Sequence, residues 1–234
     1  MKTLLTIDWD FFVPEDRALD MGHKEAPFFI NEMWAIRTLS NPDLKSILKT
    51  NSLEKSFWSW IKSKGFQFSL DTPVTVTESH LHAINIPADK IYSFDAHSDL
   101  GYHIEFNNLK QLLAAYQTLD CGNWLGYQAL KGADVTVVWS PNTNEDHNHF
   151  EKILEWIPNA KILHQASLDT EPRPIDHIHL CRSGAWTPPW LDKKFFRLFK
   201  DFKNITCNIE PRKFHINKNN DFMKMAQSQV SATK

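Results

Sequence analysis

Short apolar runs alternate with amphipathic stretches along most of the chain, and this alternation constrains the fold more than any other feature. The apolar runs resemble buried strands, whereas the stretches between them space their apolar residues as helices do. The predicted strands are 2–7, 73–79, 91–94, 134–140, 160–164 and 176–184. Strands that are linked through helices run parallel, so the pattern predicts an α/β domain with three layers, α/β/α, and a mainly parallel sheet.

The spacing of apolar residues also predicts the helices. They are predicted at 27–39, 42–49, 52–65, 108–119, about 123–131, about 144–156 and 188–202. Gly65 is suited to ending the third of these helices, because glycine tolerates a left-handed backbone. The chain turns polar from about residue 215, so we expect a single domain over 1–214 and a flexible tail over 215–234.

Composition excludes several classes of protein. A net charge of −2 and a sequence pI of about 6.6 argue against nucleic acid or a membrane surface as the main partner. The three cysteines form no CxxC pair, which argues against a disulfide framework or a zinc finger. The first residues are too short an apolar run for a signal peptide, and no long apolar span follows, so we expect a cytoplasmic protein.

Acidic and histidine side chains follow three of the predicted strands where each strand should end. These side chains are Asp8 and Asp10, Glu78 and His80, and Asp95, His97 and Asp99. Side chains two residues apart in an extended segment share a face, so each group should project together. Ligands of parallel sheets bind beyond the carboxyl ends of the strands, where the three groups would meet.

Carboxylates that converge in this way need positive charge between them. Hard oxygen ligands with two imidazoles and no thiolate favour manganese or iron over a structural zinc. The ligands outnumber the needs of one ion, and two ions about 3.5–4 Å apart would use them. Each piece also has a plain alternative: solvated acids in a turn for Asp8 and Asp10, a capped loop for 95–99, and an ordinary buried or surface histidine for His80.

Two of these segments resemble motifs of the arginases and related ureohydrolases. DAHSD (95–99) resembles their Asp-Ala-His-x-Asp motif, and TIDWDFFVP (6–14) resembles their Ser-x-Asp-x-Asp-x-x-Asp-Pro motif, with Thr6 for Ser and Val13 for the third Asp. TESHL (77–81) keeps only the histidine of a third motif. The Asp-x-Asp motif opens this chain but lies near the carboxyl terminus of arginases, which implies a circularly permuted arginase-like domain with a permuted strand order.

The resemblance covers roughly residues 3–192 and extends to a small permuted family. That family shares the segments GNWL (122–125), VVW (137–139) and CRSGAW (181–186). It includes the peptide arginases of ribosomal-peptide (proteusin-type) biosynthesis. The resemblance therefore implies hydrolysis of arginine side chains in a precursor peptide to ornithine and urea, by water activated between two Mn²⁺ ions.

The same resemblance implies a ligand set for each ion. One Mn²⁺ would be held by His80, Asp95, Asp99 and Asp8. The other would be held by Asp95, His97, Asp8 and Asp10. Asp8 and Asp95 would bridge the two ions.

The remaining catalytic roles have less definite candidates. His103 is the candidate proton donor, because Trp124 and Leu125 stand where arginases place a histidine; its alternative is an exposed loop histidine. Glu25 and Glu32 are candidates for gripping the guanidinium, or else solvated helix residues. Asn123 either binds substrate, braces the site or caps a helix.

Other functions remain open at the level of sequence. A ureohydrolase acting on free arginine or agmatine would use the same ligands, and so would a metal- or peptide-binding module without turnover. A deacetylase-like hydrolase with one zinc is a further alternative. The histidines of DHNHF (146–150) and DHIHL (176–180) are not expected to bind metal. Arg182 and Ser183 either contact a peptide backbone or cap a turn.

Overall fold

A computed structural model of the chain describes residues 1–14, 29–101, 108–141, 143, 145 and 147–214. Strands in the described residues are β1 (Thr3–Asp8), β2 (Phe66–Gln67), β3 (Val74–Thr77), β4 (Lys90–Asp95), β5 (Asp134–Trp139), β6 (Ala160–His164), β7 (Arg173–Pro174), β8 (His177–Cys181) and β9 (Ile205–Cys207). The α-helices are α1 (Ile30–Ser40), α2 (Leu44–Ile47), α3 (Phe57–Ser63), α4 (Leu109–Ala115), α5 (Trp124–Leu130), α6 (His147–Trp156) and α7 (Asp192–Leu198). The predicted tail, 215–234, lies outside the described residues.

Seven strands form one sheet in the order β6-β5-β4-β1-β8-β3-β9, and every pairing in it is parallel. All six residues of the central strand β1 are buried. A parallel sheet is covered on both faces, and its inner strands are therefore apolar almost throughout. The predicted α/β class with a mainly parallel sheet is confirmed.

The two faces of the sheet belong to different hydrophobic clusters. Leu5 and Ile7 of β1 pack into a cluster rich in phenylalanine, whereas Leu4 packs into a second cluster with Trp124 and Phe150. This division follows the alternation of side chains along a strand. Helices over each face complete an arrangement consistent with three layers.

Several details differ from the sequence prediction. The residues after β3, His80–Asn85, form a 3-10 helix, as do Trp9–Phe12, Ser52–Lys55, Gln165–Ser167 and Pro189–Leu191. The pair β2 and β7 and the edge strand β9 were not predicted, because each is too short to show an apolar period. Gly65 follows α3 with φ +85°, and a Cβ there would lie 2.0 Å from the carbonyl oxygen of Glu171, so this position requires glycine.

Candidate metal centre

The carboxyl ends of three neighbouring strand regions bring the metal-type side chains together. Asp8 ends β1, Asp95 ends β4, and His80 opens the 3-10 helix that follows β3. In the sheet order, β1 lies between β4 and β8, and β3 lies beyond β8. The site therefore occupies the middle of the sheet's carboxyl edge, where ligands of parallel sheets bind.

The residues that follow β1 and β4 form turns, whereas an extended backbone was expected there. Asp8 Oδ1 accepts a hydrogen bond from the backbone N–H of Asp10 at 3.1 Å, and Asp95 Oδ1 accepts one from His97 at 2.8 Å. Each carboxylate thus caps the backbone two residues further on, as Asp commonly does in turns. Asp99 completes the second turn with a left-handed backbone, φ +51°.

Two overlapping groups of ligand atoms result. In the first group, the Asp8 trio, one ligand atom each from Asp8, His80 and Asp95 lie within 4.8 Å of one another. In the second group, the Asp10 trio, the same holds for Asp10, Asp95 and His97. Asp95 belongs to both trios.

The two histidines lie close to the carboxylates of the trios and to Asp99. His80 Nδ1 lies 2.9 Å from Asp95 Oδ2, 2.9 Å from Asp99 Oδ2 and 3.4 Å from Asp8 Oδ2. His97 Nδ1 lies 3.1 Å from Asp10 Oδ2 and 3.6 Å from Asp95 Oδ1. All six predicted ligands, including Asp99, are therefore assembled at one place.

Several of these ligand atoms are buried without a hydrogen bond. His80 Nδ1, Asp95 Oδ2 and Asp10 Oδ2 form none within the described part of the chain. His80 Nδ1 is close enough to Asp95 and Asp99 for hydrogen bonds, but the geometry forms none. Buried polar atoms are normally satisfied. Buried ligand atoms that lie close together and lack hydrogen bonds fit a bound cation, so the residues present suit a metal ion.

The electrostatics of the site point the same way. Burial raises the pKa of Asp8 well above its ordinary value, and the neighbouring charges of Asp10 and Asp95 raise it further. Burial and the charge of Asp95 likewise raise the pKa of Asp10. Burial opposes a charged His80, but contacts with Asp95 and Asp99 outweigh it and raise its pKa well above the ordinary value. The four carboxylates outnumber the two histidines of the cluster, and divalent cations would supply the further positive charge.

Further side chains orient the ligands. Ser183 Oγ donates a hydrogen bond to Asp8 Oδ2 at 2.8 Å, and Trp124 Nε1 donates one to Asp99 Oδ2 at 2.8 Å. The backbone N–H groups of Leu125 and Gly126, in the first turn of α5, both reach the carbonyl oxygen of Asp99 at 3.2 Å. Outer contacts of this kind hold ligands in place around metal ions.

Glu78, grouped with the ligands from sequence, does not join either trio. Its carboxylate accepts hydrogen bonds from Arg182 Nε at 2.9 Å and from the backbone N–H of Gly184 at 3.0 Å. Arg182 also contacts Asp192, which binds Arg212 in turn. This ion network (Glu78, Arg182, Asp192 and Arg212) holds the turn in which Ser183, with φ +52°, reaches Asp8.

Glu145 is a residue of the site that the sequence did not reveal. Its Oε2 is buried without a hydrogen bond in the described structure. Burial raises the pKa of Glu145 to about 8, although the charge of His97 opposes this shift. Glu145 follows β5, which pairs with β4 in the sheet, and this position could have indicated that it lies near the site. The stretch from 144 was instead interpreted as the start of a helix.

The predicted catalytic residues have varied placements. His103 and Glu25 lie outside the described residues. Glu32 is half-buried in the first turn of α1 and belongs to neither trio. Asn123 is buried before α5, where its amide donates to the carbonyl oxygens of Thr118 at 2.9 Å and Ala115 at 3.3 Å and does not cap the helix. Its contacts brace the preceding turn, and a role towards substrate stays a prediction.

Comparisons of the chain with models of protein families, with curated proteins and with solved structures found no match. No helix in the described ranges is long and apolar enough to cross a membrane. The fold and the site define a parallel α/β protein with a buried Asp/His cluster that could hold a metal ion.

Proposed function

We propose that the chain is a dimanganese hydrolase with a permuted arginase-like fold, which converts arginine side chains of a ribosomally made precursor peptide to ornithine and releases urea. The observation that carries this proposal is the pair of trios that share Asp95, with buried ligand atoms that lack hydrogen bonds. A ligand set of acids and imidazoles without thiolate suits Mn²⁺. The choice of arginine and of a peptide rests on the resemblance of the DAHSD and TIDWD segments.

Each residue of the site has a defined task in this proposal. Asp8, His80, Asp95 and Asp99 would hold one ion, and Asp10, His97, Asp8 and Asp95 the other. When bound there, such ions would supply an activated water as the nucleophile near neutral pH. Ser183 and Trp124 keep Asp8 and Asp99 oriented through their hydrogen bonds.

Glu145 is the carboxylate that we assign to the guanidinium of the substrate. Its Oε2 is buried without a hydrogen bond from any described residue, and Glu145 belongs to neither trio. The charges of His97, Asp95 and Asp99 act on it, which places it close to the centre. A planar guanidinium pairs well with a carboxylate, and its positive charge would favour the ionised form of Glu145 over the neutral form that burial favours. His103 remains the candidate for protonating the departing ornithine nitrogen.

The test uses the purified full chain, loaded with Mn²⁺ and incubated with an arginine-containing peptide. We expect each converted arginine to lose CN₂H₂ in the mass spectrum while one urea is released. Asp95→Asn should abolish both signals, because Asp95 lies in both trios. The matched control is Asp134→Asn, which changes an exposed aspartate at the start of β5, the end of the strand away from the trios.

Other outcomes would assign a different function. Urea from free arginine or agmatine, without conversion of any peptide, would make the protein a small-molecule ureohydrolase. Two tightly bound ions without urea from any guanidine would make it a binding module. An Asp95→Asn variant with near wild-type turnover would contradict the proposed ligand set itself.

A further inference from the structure

A row of hydrogen bonds runs beneath the metal centre and ends on His80. Thr6 Oγ1 lies 2.7 Å from His80 Nε2 and 2.9 Å from His179 Nδ1. On its other side, His179 Nε2 lies 2.8 Å from Thr77 Oγ1, and Thr77 Oγ1 donates to the carbonyl oxygen of Ser79 at 2.8 Å. We call these residues (Ser79, Thr77, His179, Thr6 and His80) the threonine–histidine row.

The carbonyl oxygen of Ser79, at the end of the row away from His80, fixes which atom donates in each hydrogen bond. A carbonyl oxygen only accepts, so the single hydroxyl proton of Thr77 points at Ser79. Thr77 must then accept from His179 Nε2–H. A neutral His179 has one donor and one acceptor nitrogen, so its Nδ1 accepts from the Thr6 hydroxyl. Thr6 has no second proton to give and therefore accepts from His80 Nε2–H.

The sheet itself builds this row. Thr6 of β1 and His179 of β8 are direct partners in the parallel register, and Thr77 lies on β3, the next strand. Thr6 and His179 are fully buried, and His80 is 1% exposed. Because these side chains are buried, water does not compete for their hydrogen bonds. The hydroxyl and ring protons of the row therefore bond within the row.

We propose that Thr6 and His179 are positioning residues, which hold His80 in the tautomer that leaves Nδ1 as its ligand atom for a divalent ion. His80 Nδ1 is the ring atom that faces Asp8, Asp95 and Asp99. With Nε2–H engaged by Thr6, only Nδ1 can exchange a proton for a metal ion. This inference rests on the metal centre of the proposed function and not on its substrate.

The neighbouring charges agree with a neutral His179. Burial lowers the pKa of His179 well below its ordinary value, and the nearby imidazoles of His80, His177 and His82 lower it further. The side-chain hydrogen bonds described for His179 go to two threonine hydroxyls. A neutral ring is the form that can accept a proton from Thr6 at Nδ1.

The first test removes the hydroxyl that links His80 to His179. Thr6→Val keeps the shape of the side chain but deletes the hydroxyl, whereas Thr6→Ser retains it. Loss of a partner of this type weakens metal affinity about 10–100-fold. We expect Thr6→Val to weaken Mn²⁺ binding at least about tenfold, measured by titration of the metal-free protein, and Thr6→Ser to restore affinity to within about twofold of wild type.

The chain offers a matched control one step further down the same strands. Thr75 Oγ1 lies 2.9 Å from His177 Nε2, a second threonine–histidine pair between β3 and β8 without a described bond to His80. Thr75→Val should leave Mn²⁺ affinity within about twofold of wild type. Equal losses in Thr75→Val and Thr6→Val would show a general effect of the sheet and would overturn the proposal.

The second test reads the tautomers directly and does not depend on activity. Nitrogen–proton NMR of the metal-free protein should show His179 protonated at Nε2 alone, with its signals assigned by their loss in His179→Asn. In protein loaded with diamagnetic Zn²⁺, His80 should carry its proton on Nε2 and bind through Nδ1. A His179 ring protonated at Nδ1, or a His80 bound through Nε2, would overturn the proposal.

The two proposals fail in different ways. A protein with these tautomers and with Mn²⁺ affinity sensitive to Thr6→Val, but without urea production, would refute the enzyme assignment and leave the row intact. An active peptide arginase whose Thr6→Val variant binds Mn²⁺ as tightly as wild type would refute the row alone.

Discussion

Asp10 shows how a single residue can be unfavourable for the metal-free fold and yet suited to the site. It is buried at 4% exposure, and burial together with the charge of Asp95 raises its pKa. Its Oδ2 forms no hydrogen bond among the described residues and lies 3.1 Å from His97 Nδ1. A buried carboxylate of this kind disfavours folding until a cation neutralises it.

We therefore expect Asp10→Asn to stabilise the metal-free protein and to destabilise the loaded one relative to wild type. The amide keeps an oxygen for the hydrogen bond from the backbone of Ala96 and removes the buried charge. Each kcal/mol of relief would raise Tm by about 2–4 °C in a chain of this size. Thermal unfolding with chelator and with Mn²⁺ measures both effects, with Asp134→Asn as control. A variant that melts below wild type in both conditions would contradict this account.

A second prediction at the scale of single residues concerns Glu145. Glu145→Gln should reduce turnover of an arginine peptide by at least about tenfold, because it removes one charge-assisted hydrogen bond to the guanidinium. Bound Mn²⁺ should stay at the wild-type level, because Glu145 lies in neither trio. Metal analysis and urea release on the same sample separate the two effects. Loss of one metal equivalent would instead make Glu145 a ligand.

Sequence reasoning found the six candidate ligands but not the side chains that surround them. Asp8, Asp10, Asp95, His97 and Asp99 were found because they cluster in short segments after apolar runs. Glu145 and Ser183 were not assigned to the centre, because each comes from a turn whose shape is fixed only when distant strands pair. His179 was set aside as a strand residue, since nothing in the linear chain places it next to Thr6, 173 positions away.

At the scale of elements, the turn after β8 depends on buried charge. The ion network joins Glu78, which follows β3, to Arg182, which follows β8, and to Asp192 at the start of α7. Arg182 is 5% exposed and bonds both carboxylates. The sequence could predict the strands, because their apolar runs are local, but not this network, whose partners lie 104 residues apart.

Arg182→Ala should therefore destabilise the fold strongly. Removing one partner of a buried ion pair costs about 3–5 kcal/mol, since the remaining charges stay buried and unpaired. Denaturant unfolding of the metal-free protein measures this loss. The control is Lys203→Ala, whose ion pair with Asp71 is more than half exposed on both sides and should contribute less than about 1 kcal/mol. A loss for Arg182→Ala no larger than the control's would refute the role of the network.

At the scale of the whole molecule, we expect folding and binding of the proposed ions to be coupled through protons. The pKa values of Asp8, Asp10 and His80 are raised, so the metal-free fold binds more protons than the unfolded chain above the ordinary values of 3.8 and 6.5. The stability of the metal-free fold then falls as pH rises through this window. His179, with its lowered pKa, acts in the opposite direction below 6.5.

A divalent ion that binds the trios would displace their protons, so its stabilising effect should grow with pH. We expect the gain in Tm on adding Mn²⁺ to be larger at pH 8 than at pH 6, and metal binding to release protons into a weakly buffered solution. Thermal scans at both pH values, with chelator and with Mn²⁺, test the first expectation, and calorimetry in two buffers tests the second. A gain that shrinks between pH 6 and pH 8 would contradict the coupling.

Because every pairing in the main sheet is parallel, all its strands begin at one edge, and the trios lie at the other. Asp134 opens β5 at that edge and is exposed, and β1 alone separates the two edges by six residues, about 20 Å. A fluorophore, a spin label or a solid support attached at position 134 would therefore report on the protein, or immobilise it, at a distance from the trios and from the proposed peptide substrate.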